Sequence, residues 1–395
     1  MIIGKRVIEM KLLHISDLHL GKVVNSFSMI SEQSYILDRM FELIEREKIG
    51  TVLISGDVFD KTNPSVEAVK LYDSMMTRFY EKGIKVIMIS GNHDSPERLS
   101  QYSTIVEAGG IYNNAIFDGA PEKIVLNDEY GEINFYPLSF FRISEVNNVY
   151  GTDFDDYTKA FSYLVEKMNI DKSKRNVLLC HQFIAGSTMS ESETSIGGVD
   201  YISKEAFGDF DYTAMGHIHR PQSFNDGRLC YCGTMLKYAS NESGQTKYFF
   251  VVEIGEKKAG EEFCELKTEK IPIVPLHEMR KIVGKFEDLI SMPVNEKGIV
   301  TDDYVFITLL NDTYVEEAAR SLSSLYPGLM NVSYDFKANS RENADAVMKT
   351  RKIENDSPAD IFKDLYKVMH QDKEMNEEQE RILMGVINKL WGDKA

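Results

Sequence analysis

The stretch Thr51-Val52-Leu53-Ile54-Ser55-Gly56-Asp57-Val58-Phe59-Asp60 decides how the chain is read. An apolar run of strand type stops on a glycine, and two aspartates follow it. In open α/β sheets, ligands bind just beyond the carboxyl ends of strands. The same arrangement recurs along the chain. Lys11–Ile15 is followed by Asp17 and His19, and Ile84–Ser90 by Asn92, His93 and Asp94. Asn176–Cys180 runs into His181, and Tyr212–Met215 into His217 and His219. Helix-period stretches, 31–48, 66–82 and 157–168, separate these strands. The alternation predicts a layered α/β domain in which five strand ends meet at one point.

The residue types at that point are those of a metal centre. Asp-x-His and His-x-His put two side chains on one side of an extended segment. Mixed imidazole and carboxylate donors suit manganese, iron, zinc or cobalt better than magnesium or calcium. Asp17, His19, Asp57, Asn92, His181, His217 and His219 are too many ligands for one tetrahedral ion. Two divalent ions are therefore expected, able to activate water for attack on phosphorus. Asp57 is the natural bridge, because Gly56 permits a tight turn before it. Asn92 is read as a ligand through its side-chain oxygen. That leaves His93 to face a phosphate and to protonate or stabilise the leaving oxygen. An orienting carboxylate for His93 could come from Asp60 or Asp94. A helix beginning at Ser95-Pro96 could hold a phosphate or be an ordinary capped start. His14 lies inside a strand and reads as structural; His277 and His370 read as surface residues.

The full motif set is Asp17-x-His19, Gly56-Asp-x-x-Asp60, Gly91-Asn-His-Asp94, lone His181 and Gly216-His-x-His219. It resembles the signature of the calcineurin-like metallophosphoesterases. The surroundings narrow the resemblance: His14-Ile-Ser-Asp-Leu-His-Leu-Gly21, Asn63-Pro-Ser65, Gly91-Asn-His-Asp-Ser-Pro96, Ser357-Pro-Ala-Asp-Ile-Phe and Met375-Asn-Glu-Glu-Gln. These resemble the SbcD nuclease-subunit family, bacterial counterpart of the meiotic-recombination DNA-repair nuclease, over nearly the whole chain.

The resemblance implies two stacked mixed β-sheets flanked by helices, a small βαβ capping domain and a C-terminal helix-loop-helix. It implies two manganese ions, one on Asp17, His19, Asp57 and His219, the other on Asp57, Asn92, His181 and His217. It makes Asp60 the support of catalytic His93. Archaeal and eukaryotic relatives carry histidine where this chain has Asp60. The implied activity is ATP-dependent 3′–5′ exonuclease on double-stranded DNA, with endonuclease on single strands and hairpins, in repair and recombination. The implied partner is an SbcC-like coiled-coil ATPase, and the implied assembly a homodimer within a heterotetramer. Helix 66–82, with Leu71, Met75 and Phe79, is a candidate dimer contact or a face buried in its own core.

Three parts are expected: a nuclease domain at 1–272, a capping domain at 273–345 and a helical segment at 346–395. Ile271-Pro-Ile-Val-Pro275 punctuates the first boundary. In the cap, Tyr304–Leu310 and Met330–Phe336 read as strands around helix Val315–Leu325. Ser357 caps a helix striped with Ile361, Leu365, Val368 and Met369. Asn376 with Gln379 forms a capping box for a second helix. Its stripe is Ile382, Leu383, Val386, Ile387, Leu390 and Trp391. Two short helices with wide apolar faces must cover something, and 357–391 is assigned to the ATPase. The segment 186–198 after His181 is a candidate flap or a plain surface loop.

Composition sets the limits. The 395 residues carry 45 Lys+Arg against 62 Asp+Glu, a formal charge of −17. With 43 % apolar and 27 % charged residues, a disordered chain is excluded. No apolar run reaches the ~18 residues of a spanning helix. Four scattered cysteines make no disulfide framework, and Met1–Met10 has no signal-peptide core; Met10 is a possible start. A reduced, cytoplasmic protein is expected. The acidic balance points to weak, salt-sensitive DNA binding and to a subunit rather than a self-sufficient DNA binder. A phosphatase or phosphodiesterase for other substrates is the rival enzyme, and an inactive scaffold for the ATPase the rival outside enzymes.

Overall fold

The computed structural model describes residues 10–190, 201–311, 313–335, 358–369 and 374–391. The chain divides into two compact units, Met1–Arg280 and Lys281–Ala395.

The first unit runs as follows. β1 (Met10–Ile15) leads through a short hairpin, β2 (Val23–Val24) and β3 (Phe27–Ser28), into α1 (Ile30–Glu47). β4 (Thr51–Ser55), α2 (Val66–Glu81) and β5 (Lys85–Ile89) come next. The one-turn helices α3 (Pro96–Leu99) and α4 (Ser103–Glu107) precede β6 (Ile111–Asn114). Then come β7 (Ile124–Asp128), β8 (Gly131–Leu138), α5 (Ile143–Tyr150) and α6 (Tyr157–Lys167). β9 (Arg175–His181), β10 (Tyr212–Gly216), β11 (Gln222–Phe224), β12 (Leu229–Tyr231), β13 (Tyr248–Ile254) and β14 (Leu266–Pro272) complete it.

These strands form two six-stranded mixed sheets, ordered β14-β13-β1-β4-β5-β6 and β11-β12-β10-β9-β8-β7. The first is parallel from β1 to β6 and antiparallel through β13 and β14. The second is parallel across β8, β9, β10 and β12, with antiparallel β7 and β11 at its edges. Their inner faces share one core, in which Leu12, Leu53 and Ile87 meet Phe135, Val177 and Tyr212. α5 and α6 cover the outer face of the second sheet through Val146, Phe161 and Leu164. α1 and α2 pack together, with the Phe41 and Phe79 rings 4.9 Å apart, and α2 packs on β5. Strands buried on both faces explain the continuous apolar runs of the sequence.

The α2 face takes the second of its two expected roles, burial in its own core. Met75 and Phe79 are buried within this unit and Leu71 is half-buried, so these residues do not form a free contact surface. Val66, Val69 and Tyr80 are the exposed apolar positions. The Tyr80 ring packs over Gly109, just past α4, where Tyr102 and Ile105 are also exposed.

In the second unit, β15 (Met279–Gly284), α7 (Phe286–Ile290), β16 (Tyr304–Leu309), α8 (Ala318–Ser323) and β17 (Leu329–Tyr334) form a three-stranded sheet with two short helices. β16 and β17 are parallel, so the βαβ reading describes them, while β15 adds a third strand to the same sheet and α7 a second helix. Val305, Ile307, Leu322 and Tyr326 make its core. α9 (Pro358–Met369) and α10 (Glu377–Trp391) pair through Lys363–Glu380 at 3.0 Å and Lys367–Glu374 at 2.8 Å. Asn376 Oδ1 accepts from the Gln379 amide and Gln379 Oε1 from the Asn376 amide, both at 2.9 Å, which is the capping box. Leu383 and Ile387 are buried, while Ile382, Val386 and Phe362 are exposed. Ser357, His370 and the side chains of Ile361, Leu365, Val368, Met369, Leu390 and Trp391 lie outside the described residues, as do 1–9 and 191–200.

Candidate metal centre

His181 ends β9, the other six candidate ligands and His93 come from the loops after β1, β4, β5 and β10, and all meet over the carboxyl ends of those strands. Three groups of metal-capable side chains result: Asp17, His19 and His219; Asp57, His181 and His217; His19, Asp60 and His93. His19 Nε2 is 3.1 Å from His219 Nε2 and 3.7 Å from Asp57 Oδ2. On the other side of the same carboxylate oxygen, His181 Nε2 is 3.4 Å away. That nitrogen also lies 3.1 Å from Asn92 Oδ1 and 3.2 Å from His217 Nδ1. Asp57 therefore sits between two clusters, one with Asp17, His19 and His219 and one with Asn92, His181 and His217.

Hydrogen bonding alone does not account for this crowding. One imidazole nitrogen carries at most one proton, yet His181 Nε2 faces three polar atoms. His19 Nδ1 is fully buried with no hydrogen-bond partner, a costly arrangement in a folded chain. Two donors held about 2.1 Å from one ion at a right angle lie about 3 Å apart. The close nitrogen pairs match that spacing. The donor set therefore fits two divalent cations.

The strand ends turn sharply to present these groups. Asp17, His19, Asp57 and His217 all take positive φ, at 52°, 44°, 50° and 97°. Non-glycine residues adopt this region at a cost, which is smallest for Asp, Asn and His. At the strand ends the backbones approach too closely for a side chain at two glycines. A Cβ on Gly56, at φ +86°, would stand 2.5 Å from His181 Nδ1. One on Gly216 would overlap the Ser55 carbonyl. That carbonyl accepts from His181 Nδ1 at 2.8 Å, which fixes the tautomer and turns Nε2 to the centre.

Electrostatics keep three of the four imidazoles in their ligand form. Burial lowers His19 and His217 to about 3 and His219 well below the usual value, so all three stay neutral. For His181, burial is outweighed by the Asp57 and Asp17 carboxylates, which raise it to about 9. Asp57 is held well below its ordinary range because His181 and His19 overcome the effect of its burial. Burial raises Asp17 to about 6 and, with the Asp57 charge, Asp94 to about 7.

The partners of His93 differ from both expected carboxylates. Its Nδ1 bonds the Asp60 backbone carbonyl at 3.0 Å. The Asp60 carboxylate instead pairs with Lys22 at 2.7 Å and faces His19 Nδ1 at 3.8 Å. Asp94 accepts from the amides of Val58, Phe59 and Gly91, tying the β4 loop to the β5 loop. The His93 amide donates to Asp57 Oδ1 at 2.9 Å. The Ser95 start belongs to a four-residue helix, with Ser95 Oγ bonded to Glu97, and is an ordinary helix start.

Several supporting residues carried no sequence signal. Gln33 Nε2 donates to the His19 carbonyl at 2.8 Å, and Gln33 Oε1 accepts from the Gly21 amide. Lys247 donates to the His219 carbonyl at 2.9 Å and pairs with buried Glu242 at 2.7 Å. They lie on α1 and beyond β12, far from any motif; only a polar residue in an apolar stripe marks Gln33. His14 is buried between Tyr212 Oη at 2.9 Å and the Met215 carbonyl, a structural role. His277 is no free surface residue, since it pairs with buried Glu32 at 2.6 Å. In the 186–198 segment, Thr188 and Gln222 exchange two hydrogen bonds of 2.8 Å, and 191–198 lie outside the described residues.

Residues 10–221 match the family model described as calcineurin-like phosphoesterase, the class that the double sheet and its aspartate–histidine centre define. Residues 275–370 match the model described as type 5 capsule protein repressor C-terminal domain. The chain is 32 % identical over 339 residues to the SbcD subunit of the nuclease SbcCD of Staphylococcus epidermidis, covering 84 % of this chain and 87 % of that protein. It belongs to the SbcD family of calcineurin-like phosphoesterases. Among solved structures, TT1561 of Thermus thermophilus overlaps 67 % of this chain and 99 % of its own, with a TM-score of 0.39 and 10 % identity.

Proposed function

We propose that this chain is the nuclease subunit of an SbcCD-type complex, hydrolysing DNA phosphodiesters with two divalent cations, manganese foremost. The observation that carries the reading is the placement of Asp57 between two histidine clusters, with a further imidazole, His93, at their edge. One cation is assigned to Asp17, His19, Asp57 and His219, the other to Asp57, Asn92, His181 and His217. When bound, such a pair supplies Lewis acidity at phosphorus and lowers the pKa of water.

The protein's own contribution is placement and a proton. Ser16 Oγ, 2.5 Å from Asp17, and the Ser55 carbonyl on His181 hold the donors in fixed orientations. His93 holds its Nδ1 on the Asp60 carbonyl, so Nε2 is the nitrogen that meets the substrate. From there the ring donates a proton to the leaving oxygen. Lys22 fixes the Asp60 side chain in an ion pair at the rim.

The reading extends to 3′–5′ exonuclease action on duplex ends, endonuclease action on hairpins and single strands, and a role in DNA repair in the cytoplasm. The proposed organisation is 1–272 nuclease, 273–345 cap and 346–395 ATPase-docking segment. An SbcC-like ATPase would seat on the helices within 357–391, whose exposed Ile382 and Val386 support a docking face. The homodimer is assigned to Val66, Val69 and Tyr80 with Tyr102 and Ile105. Among the described residues, no helix is long and apolar enough to cross a membrane.

The test offers Mn²⁺-loaded chain, with and without the ATPase and ATP, three substrates: blunt duplex, hairpin DNA and a small phosphodiester. Cleavage of DNA supports the reading. Hydrolysis of the small diester with no DNA cleavage in any combination makes the chain a different phosphoesterase; no hydrolysis at all leaves a scaffold.

A further inference from the structure

The rim of the centre is polar at one place and aromatic at another. Lys22, Asp60 and His93 lie beside His19. Around His217 the neighbours are phenyl rings. The Phe183 centroid is 3.9 Å from that of His217, with the rings at 75°. Phe140 is 6.3 Å from His217 and 6.2 Å from His181. Both phenylalanines keep part of their surface open to solvent, whereas the adjacent Phe141 is buried completely. Core packing fully accounts for Phe141 and for the inner side of Phe183, which packs against the same cluster, and leaves the open faces of Phe183 and Phe140 to be explained.

Both rings are held by fixed backbone. The Phe140 amide donates to the Ser90 carbonyl at 3.1 Å, and the Phe183 carbonyl accepts from the Ile202 amide at 2.8 Å. The exposed guanidinium of Arg142 lies 5.6 Å from the Phe140 centroid. Of the lysines beside the centre, Lys22 is paired with Asp60 and Lys247 with buried Glu242. A chain of net charge −17 has little general attraction for a polyanion. Stacking of bases on aromatic faces is the other general means of holding a single strand.

We propose that Phe183 and Phe140, with Arg142 beside them, form a stacking platform for an unpaired nucleobase next to the scissile phosphate. Arg142 meets the neighbouring phosphate. The platform selects nucleic-acid diesters with a frayed or single-stranded end over diesters without a base. This rests on the phosphodiester reading above and names the substrate feature that the same site recognises.

Two measurements on full-length, Mn²⁺-loaded chain test it. The first compares kcat/KM for thymidine 5′-p-nitrophenyl phosphate and methyl p-nitrophenyl phosphate, which share a leaving group and differ in the base. Phe183→Leu keeps apolar bulk and removes the aromatic face. It should lower the nucleoside-to-methyl ratio about tenfold, within the range for one stacked base, and Phe183→Trp should restore it. The second is the affinity of a short single strand carrying 2-aminopurine, against the same strand with that base removed. Wild type should prefer the intact strand, and Phe183→Leu should lose that preference. Phe140→Leu is the second variant should Phe183→Leu fail to fold. A ratio changed less than twofold, or equal wild-type affinity for intact and abasic strands, overturns the platform while leaving phosphodiester hydrolysis standing. Turnover of neither diester, with base-dependent binding still lost in Phe183→Leu, overturns the hydrolytic reading and leaves the platform.

Discussion

Asp57 shows what one residue must do in this centre. It takes positive φ, accepts from the His93 amide through Oδ1, and stands between His19 and His181 through Oδ2. Residue types and strand-end positions were legible in the sequence because ligand chemistry needs them. The left-handed backbone was not, since only the packed sheets impose it, at about 1–3 kcal/mol for each strained residue. The partner of His93 was also illegible, because a backbone carbonyl has no sequence signal. His93→Ala should keep both cations, measured by calorimetric titration with Mn²⁺, and lower kcat about 10²–10⁴-fold. Loss of a cation would make His93 a ligand. His14 permits a pH prediction. Burial lowers it from 6.5 to about 3, so the folded state keeps it neutral where the unfolded chain binds a proton. Its contribution to stability is present above pH 6.5 and is lost as pH falls toward 3. Between pH 7 and 5 that loss is about 2 kcal/mol. In chelator, His14→Gln should lose correspondingly less stability than wild type over this interval, measured by urea denaturation.

At the scale of elements, the five strands that carry the candidate ligands were readable to within about a residue at each end, because each is a buried apolar run. β4 was read with its observed ends, Thr51–Ser55. The strands β6, β7, β8, β11 and β12 were not assigned. β6 contains Asn113 and Asn114, and β8 contains Pro137, residues that ordinarily argue against a strand. The register explains the proline. β7 pairs with β8 only as far as Phe135, so Pro137 lies beyond that ladder. The centre also depends on close approach between elements. Gly216 lets β10 pass the Ser55 carbonyl at the end of β4, and the same carbonyl orients His181 on β9. Gly216→Ala would force these strands apart. It should cost about 1–3 kcal/mol in denaturation without metal and should also weaken Mn²⁺ binding, since the His181 tautomer loses its anchor. In the tail, Asn376→Ala removes one half of a reciprocal cap. It should lower the stability of α10 by about 0.5–2 kcal/mol, visible as faster amide exchange in its first turn.

For the whole molecule, the net charge of −17 and the helical tail lead to one conclusion. A polyanion-binding enzyme with 62 acidic against 45 basic residues needs a further source of affinity for duplex DNA, which a partner would supply. The helical tail is the proposed docking segment. Its two helices bury Leu383 and Ile387 but leave Ile382 60 % and Val386 49 % exposed, one turn apart on the same helix. Apolar side chains at that spacing form a helix-in-groove contact. The exposed positions on α2, Val69 and Tyr80, form a separate surface on the other unit. The two surfaces should therefore fail independently. Ile382→Glu with Val386→Glu should weaken capture of the coiled-coil ATPase at least tenfold, since two buried charges replace two apolar contacts. The same variant should keep wild-type mass in light scattering and wild-type Mn²⁺ titration. Val69→Glu with Tyr80→Glu should do the reverse, halving the mass and leaving ATPase capture intact. If the tail variant also halves the mass, or the α2 variant also loses the ATPase, one surface serves both contacts and the assignment of separate roles to α2 and α10 is wrong.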